Sequence, residues 1–380
     1  MTNNFDIFID RSHTDSEKWQ KYADKDIIPL WVADTDFRSP DSVINALRQR
    51  IEHGVFGYGY PPPEFINCIV DRMKRLYQWE IKPEWLVFLP GMVSGLNLSL
   101  RALTSPEQSS IVPHPIYPPF MKAALLANRK QVSAPIQLKK QRWVLNLPAI
   151  ESQLKGNEKL LMLCNPHNPG GTVYRREELM EQLDFAQRHN LYVCSDEIHC
   201  DLLLDKQVKH IPFGSLSEDA AQRSVTLVAP SKTYNIAGLG ASIAIIPNAV
   251  LRQRFIDTRT GIVPSVGVLA YVAADAAYRH GNEWLEEQLD YLRGNHDLVM
   301  QRINAMPGLK MQPLEATYLA WIDAGALPVD NPHAFFERAG VGLSPGADFG
   351  AAKFVRLNFG CQRALLIKAL DRMERAINNL

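Results

Sequence analysis

A lysine, an aspartate and an asparagine stand where three apolar runs of this chain break off. Lys232 follows Ser224-Val225-Thr226-Leu227-Val228-Ala229 across the turn at Pro230-Ser231. Asp196 ends Leu191-Tyr192-Val193-Cys194-Ser195, and Asn168 lies in Asn165-Pro166-His167-Asn168-Pro169-Gly170-Gly171, after the run from Leu160 to Cys164. Surroundings that desolvate a lysine at a strand end lower its pKa and make it a nucleophile or a base. Such an amine could bond covalently to an aldehyde, and a carboxylate could keep a heterocyclic nitrogen protonated. Taken singly, Lys232 reads equally as an exposed amine, and Asp196 as a cap or a buried ion-pair partner. What points to chemistry is that all three should leave the ends of strands in one sheet.

A fourth feature adds an anion site. The run Trp85 to Leu89 is followed by Pro90-Gly91-Met92-Val93-Ser94-Gly95 and then by a helical stretch from Leu96 to Leu103. Amides at Met92, Val93 and Ser94 should therefore lie unpaired at a helix N-terminus, which binds phosphate; an ordinary strand-to-helix turn would look the same. Two other readings are weaker. Ser231 beside Lys232 could suggest a serine–lysine hydrolase, but adjacent residues of an extended segment point apart. His199 with Asp196, Glu197, Cys200 and Asp201 suggests a metal cluster only until alternate side chains are assigned to opposite faces.

From about residue 84 to 250, short β-rich runs alternate with longer helical ones, the pattern of a mainly parallel sheet covered by helices on both faces. The expected strands are Trp85 to Leu89, Ser109 to Val112, Leu160 to Cys164, Leu191 to Ser195, Ser224 to Ala229 and Ala241 to Ile246. In such sheets ligands sit beyond the carboxyl ends of the strands. A long helical run from Trp284 to Met306 leads to a different rhythm, with strands near Thr317 to Ile322 and Phe354 to Phe359 flanking a helix near Asn331 to Ala339. We expect a large domain over residues 45–285 and a smaller α+β domain from residues 1–44 and 286–380. Near the start, Ser39 reads as the N-cap of a helix with Pro40 at its first position.

Composition restricts the partners. The 380 residues are 46% hydrophobic and 22% charged, with 41 Lys and Arg balancing 41 Asp and Glu. Such balance offers no net field to draw in nucleic acid or an anionic membrane, so the expected partner is a small molecule. No apolar run approaches the roughly 20 residues of a spanning helix. The N-terminus lacks a secretory pattern and the five cysteines form no regular framework, which together suggest a reducing cytoplasm.

The same residues carry a resemblance. The stretches Pro29 to Phe37, Gly54 to Tyr58, His114 to Phe120, Cys164 to Gly171, Ser195 to His199, Ala229 to Leu239 and Phe354 to Gly360 run in order over nearly the whole chain. They resemble the fold-type I pyridoxal-phosphate enzymes of the class I/II aminotransferase superfamily, and more narrowly the MalY/PatB group of cystathionine β-lyases and cysteine-S-conjugate β-lyases. The resemblance implies an α/β fold-type I architecture, with a mainly parallel seven-stranded sheet in the large domain and a smaller α+β domain. It also implies pyridoxal 5′-phosphate as cofactor and an amino-acid substrate. Lys232 would carry the cofactor covalently, and Asp196 would hold its pyridine nitrogen. Asn168 and His199 would bond its phenolic oxygen, and Tyr117 would stack on its ring. Backbone at Met92 and Val93 and the Ser231 hydroxyl would hold its phosphate. Arg356 would take the substrate carboxylate, helped by backbone at Ala33. Tyr58 would reach the phosphate of the neighbouring subunit, which requires a homodimer.

Three positions depart from the superfamily or the narrower group. Gly240 stands eight residues after Lys232, where fold-type I aminotransferases commonly have a phosphate-binding arginine; the MalY/PatB group also lacks it. Thr35 replaces that group's usual methionine and Ser94 its frequent proline. The implied reaction is elimination of a thiol from Cβ of cystathionine or another cysteine S-conjugate, leaving pyruvate and ammonia. Residue chemistry alone leaves an aminotransferase open, since both reactions use Lys232, Asp196 and Arg356. A regulatory binding role that retains the cofactor site is a further alternative.

Overall fold

The computed structural model describes residues 3–380. Its central sheet has eight strands, in spatial order Leu86–Leu89, Ser242–Ile245, Ser224–Val228, Tyr192–Asp196, Glu158–Cys164, Ser109–His114, Lys130–Lys139 and Arg142–Leu145. Six run in one direction; Ser242–Ile245 and Arg142–Leu145 run against their neighbours. The expected count of seven is thus corrected to eight. Lys130–Lys139 was not among the strands read from the sequence, because its exposed flank alternates polar with apolar residues. Arg142–Leu145 pairs with it as a hairpin edge.

Central strands are continuous apolar runs because helices cover both faces, which leaves neither face for water. All of Ser224–Val228 is buried, as are the last five residues of Glu158–Cys164. One face packs on helices Met92–Leu103, Pro118–Leu126 and Ala249–Arg259, through Leu96, Leu100, Phe120, Leu251 and Phe255. Helix Arg176–Arg188 covers part of the other face through Leu179, Leu183 and Phe185. The largest core cluster then runs from helices Pro63–Tyr77 and Val268–His280 into the C-terminal region.

There a four-stranded antiparallel sheet is ordered Lys310–Met311, Leu319–Asp323, Phe354–Asn358, Ser344–Pro345. The final helix, Arg363–Asn378, buries Leu366, Ala369, Leu370, Met373 and Ile377, the three- and four-residue spacing of an amphipathic face. A two-residue parallel pairing of Ile28–Pro29 with Val341–Gly342 ties the N-terminal segment to this region. That pairing carries residues 30–37 past the ends of the central strands. The expected cap at Ser39 is not formed: helix Asp41–Glu52 begins after Pro40 without a side-chain cap, and the Ser39 hydroxyl donates to the Asn235 carbonyl at 2.9 Å. A bond to the lysine-bearing turn has replaced a local one.

Candidate active site

The parallel direction of the strands brings their carboxyl ends to one edge of the sheet, and a cavity of about 540 Å³ opens there. Met92, Val93, Tyr117, Asn168, Asp196, His199, Ser231, Lys232, Ala33 and Arg356 all line it. Tyr58 does not: it is fully exposed, outside this chain's own cavity.

Lys232 Nζ donates to the Ala33 carbonyl at 2.6 Å. Loss of water around it pulls the ammonium down to about 8 from its ordinary 10.5, because burial outweighs the attraction of the Asp34 and Asp196 carboxylates. Asp196 is 3% exposed and accepts one backbone bond, from Ile198 at 3.1 Å. Burial pushes its carboxyl up to about 7, and the neighbouring Glu197 adds to the rise. His199 is driven down to about 3 by burial and is neutral, and its Nδ1 is buried without a partner.

Arg356 comes from the smaller sheet, opposite Trp321 and Ser344. Its Nη1 donates to Asn168 Oδ1 at 2.9 Å, and its Nη2 to the Trp31 carbonyl at 3.0 Å and to Ser344 Oγ at 3.3 Å. The Phe349 ring lies 4.7 Å from the guanidinium carbon. Burial draws this arginine down to about 10, and its buried Nε has no partner. A buried cation with a vacant donor and no carboxylate against it is costly unless a ligand supplies the anion.

The far wall is the N-terminus of helix Met92–Leu103, whose Gly91 cap has no side chain to satisfy the first-turn amides. Ser231 lines the cavity beside it. Gly240 explains its own departure from the arginine pattern. Its φ is +62°, and a Cβ there would stand 2.5 Å from the Pro90 carbonyl oxygen. The two turns pack too closely for any side chain at this position.

Several positioning residues escaped the sequence reading. The Ala33 carbonyl also accepts from Tyr318 Oη at 3.1 Å. Asn235, itself at φ 54°, holds Thr35 through both its amide and its carbonyl and also bonds the Phe37 carbonyl. Asn358 Nδ2 bonds the carbonyls of Val32 and Asp34, each at 2.6 Å. Both asparagines lay inside the family-like stretches, and their polarity amid apolar neighbours was the available signal. Lys18 is wholly buried and paired with Asp36 at 2.7 Å, a contact that no sequence pattern announced. The acidic run after Tyr192 divides by a turn rather than by strand alternation, because the strand ends at Asp196 and the chain turns over residues 198–201. Asp196 and His199 face the cavity, whereas Glu197 turns away to Ser195, His210 and the Phe213 amide, and Asp201 pairs with Arg72.

A phosphorylated pyridine aldehyde fits this donor set. An amine faces the same cavity as an unpaired carboxylate, an amide and an unpartnered imidazole nitrogen line it too, and a helix N-terminus with uncapped first-turn amides contributes Met92, Val93 and Ser94. The relatives of the chain agree. Cystathionine β-lyase PatB of Bacillus subtilis (strain 168) is 36% identical over 388 residues, covering 99% of this chain and all of PatB. A crystal structure of a protein named OvoB superposes with a TM-score of 0.98 at 59% identity, covering 99% of this chain and all of that one. The crystal structure of cystalysin from Treponema denticola, which contains a pyridoxal 5′-phosphate cofactor, gives a TM-score of 0.95 at 30% identity, with full coverage of both chains. Residues 25–373 match the aminotransferase class I and II family, and to that family this chain belongs.

Proposed function

We propose that the chain is a pyridoxal 5′-phosphate-dependent carbon–sulfur β-lyase, cleaving L-cystathionine or another cysteine S-conjugate to a thiol, pyruvate and ammonia. Lys232 and Asp196 facing one cavity support the cofactor. The observation that carries the lyase reading over transamination is the end-to-end match to a cystathionine β-lyase. The cofactor, when bound, supplies an acceptor for the electron pair left as the substrate loses its Cα proton.

The chain's own residues take the remaining roles. Lys232 would hold the cofactor through its aldehyde group, and its Nζ, once free, would remove the substrate's Cα proton as general base. Asp196 would hold the pyridine nitrogen, and a protonated nitrogen there would supply the positive charge that offsets the burial which now raises its carboxyl. Asn168 links the two ligands, since its Oδ1 is taken by Arg356 while its Nδ2 is left to donate to the phenolic oxygen; His199 donates beside it, and Tyr117 stacks on the ring. Amides at Met92 and Val93 with the Ser231 hydroxyl hold the phosphate. Arg356, helped by backbone at Ala33, orients the substrate through its carboxylate. In balance, the Cα–H and Cβ–S bonds break, the sulfur leaves as thiol, and water converts the released enamine to pyruvate and ammonia.

We read the assembly as a homodimer. Val55, Phe56, Tyr58 and Tyr60 are all exposed within six residues, an apolar cluster of the kind that marks a protein–protein contact. Tyr58 would reach the neighbouring phosphate from that cluster. Among the described residues no helix is long and apolar enough to cross a membrane, and the five free cysteines suit a reducing cytoplasm.

The purified protein, loaded with cofactor, should show a visible band that bleaches on borohydride reduction. It should also release pyruvate and thiol from L-cystathionine with no 2-oxo acid present. Lys232→Ala should lower turnover by at least about 10²–10⁴-fold, the range general-base catalysis contributes. A strict requirement for a 2-oxo acid acceptor would reassign the protein to transamination.

A further inference from the structure

Outward from Arg356, the cavity opens between the short helix Glu17–Gln20 and the turn that follows Ser344–Pro345. Glu17, Lys21 and Asp348 line it there, around Trp31 and Phe349. Glu17 and Lys21 are four residues apart, a spacing at which opposite charges on a helix ordinarily pair. They do not pair here. Ion pairs of this segment join Arg11 and Lys18 to Asp34 and Asp36, and neither Glu17, Lys21 nor Asp348 enters one among the described residues. Lys21 Nζ instead sits 4.5 Å from the centroid of the Trp31 ring and 5.2 Å from that of Tyr22.

The support beneath these charges is buried and hydrogen-bonded. Lys18, between them in sequence, is completely buried on Asp36. Trp19 Nε1 donates to the same carboxylate at 3.0 Å, and Trp31 Nε1 donates to the Lys18 carbonyl at 3.0 Å. A buried lysine–aspartate pair brings little net stability against its desolvation, but it holds geometry. Here it holds the segment that carries one carboxylate and one ammonium to the mouth, which the Asp348 carboxylate also lines.

A substrate anchored by its α-carboxylate on Arg356 and its α-carbon at Lys232 must send its sulfur substituent outward, toward this mouth. An alkyl substituent would meet three charges and satisfy none. A bare anion would face two carboxylates, and a bare cation would face Lys21. We propose that Glu17, Lys21 and Asp348 form a subsite for a second amino-acid head group, so that the enzyme prefers S-conjugates whose distal end carries an ammonium and a carboxylate together. This rests on the lyase reading above and names its substrate class.

The test compares kcat/KM for pyruvate release from L-cystathionine, S-ethyl-L-cysteine, S-(2-aminoethyl)-L-cysteine and S-(2-carboxyethyl)-L-cysteine, using the holoenzyme. Exposed ion pairs are individually weak, so the expected preference for cystathionine over the ethyl conjugate is about tenfold, and it should shrink at high salt. Lys21→Ala should lower the cystathionine-to-ethyl ratio and the carboxyethyl-to-ethyl ratio. The double variant Glu17→Gln/Asp348→Asn should lower the cystathionine-to-ethyl and aminoethyl-to-ethyl ratios. Equal kcat/KM across the four substrates, or ratios that these substitutions leave unmoved, would overturn the subsite. Were no conjugate cleaved, the lyase reading would fall by itself. Spectral titration of the holoenzyme would then decide the subsite, with tighter binding of cystathionine than of the ethyl conjugate upholding it and equal affinities overturning it.

Discussion

Three side chains of the cavity have titrations displaced in the direction burial alone dictates. Lys232 and Arg356 are pulled down and Asp196 is pushed up, burial in each case outweighing the opposite charges nearby. This is a site organised around charges that its ligands bring. The lysine makes the idea measurable. Below about 8 its amine is protonated and cannot attack an aldehyde; above that it is free. Capture of pyridoxal phosphate by the cofactor-free protein, followed as visible absorbance, should therefore accelerate with pH up to about 8 and then level off. An unperturbed lysine would go on accelerating toward about 10.4, and such a profile would contradict the desolvated amine. Of the site residues, Lys232, Asp196 and Asn168 were legible from their types and places at strand ends, and Arg356 only through the family resemblance. The bond between Asn168 and Arg356 was not, since 188 residues separate them.

At the scale of elements, two glycine-bearing turns and one asparagine hold the cavity in shape. Pro90-Gly91 delivers the amide-rich helix end, and Gly240 lets the turn after the lysine pack against it. Gly240→Ala should destabilise the fold by roughly 1–2 kcal/mol from the left-handed backbone alone, before the contact with the Pro90 oxygen is counted. It should also speed loss of the cofactor. A denaturant midpoint and a cofactor off-rate matching those of the parent would refute this account of the missing arginine. The strands around these turns were readable because unbroken apolar runs bounded by turn residues have few other uses. The pair Lys130–Lys139 and Arg142–Leu145 was missed because an edge hairpin, half-wetted, has no such run. The Ser39 hydroxyl shows the opposite failure: a well-formed local capping signal was overruled by a partner 196 residues away.

At the scale of the whole molecule, the proposed homodimer makes each site depend on two chains, Lys232 from one and Tyr58 from the other. Mixing Lys232→Ala and Tyr58→Ala protomers, each nearly inactive, should then restore activity. In heterodimers one site carries both native residues, so random exchange regenerates about one quarter of the parent's sites. No recovery after verified subunit exchange would place Tyr58 and Lys232 in the same subunit's site and overturn the shared one. The chemistry-bearing residues, the parallel strands and the family could be read from order and residue type alone, because strand periodicity and the residues at strand ends are local properties of the chain. Tertiary structure alone decided which residue faces which. It set Asn168 on Arg356, Asn235 on Thr35 and Lys18 on Asp36, and it gathered Glu17, Lys21 and Asp348 at one mouth. These juxtapositions arise where the N-terminal segment and the C-terminal sheet meet the ends of the central strands. Asn168 and Arg356 are 188 residues apart and Thr35 and Asn235 are 200 apart, while Lys18 and Asp36, only 18 apart, meet outside any helix or strand repeat, so a linear pattern carries no signal for these contacts.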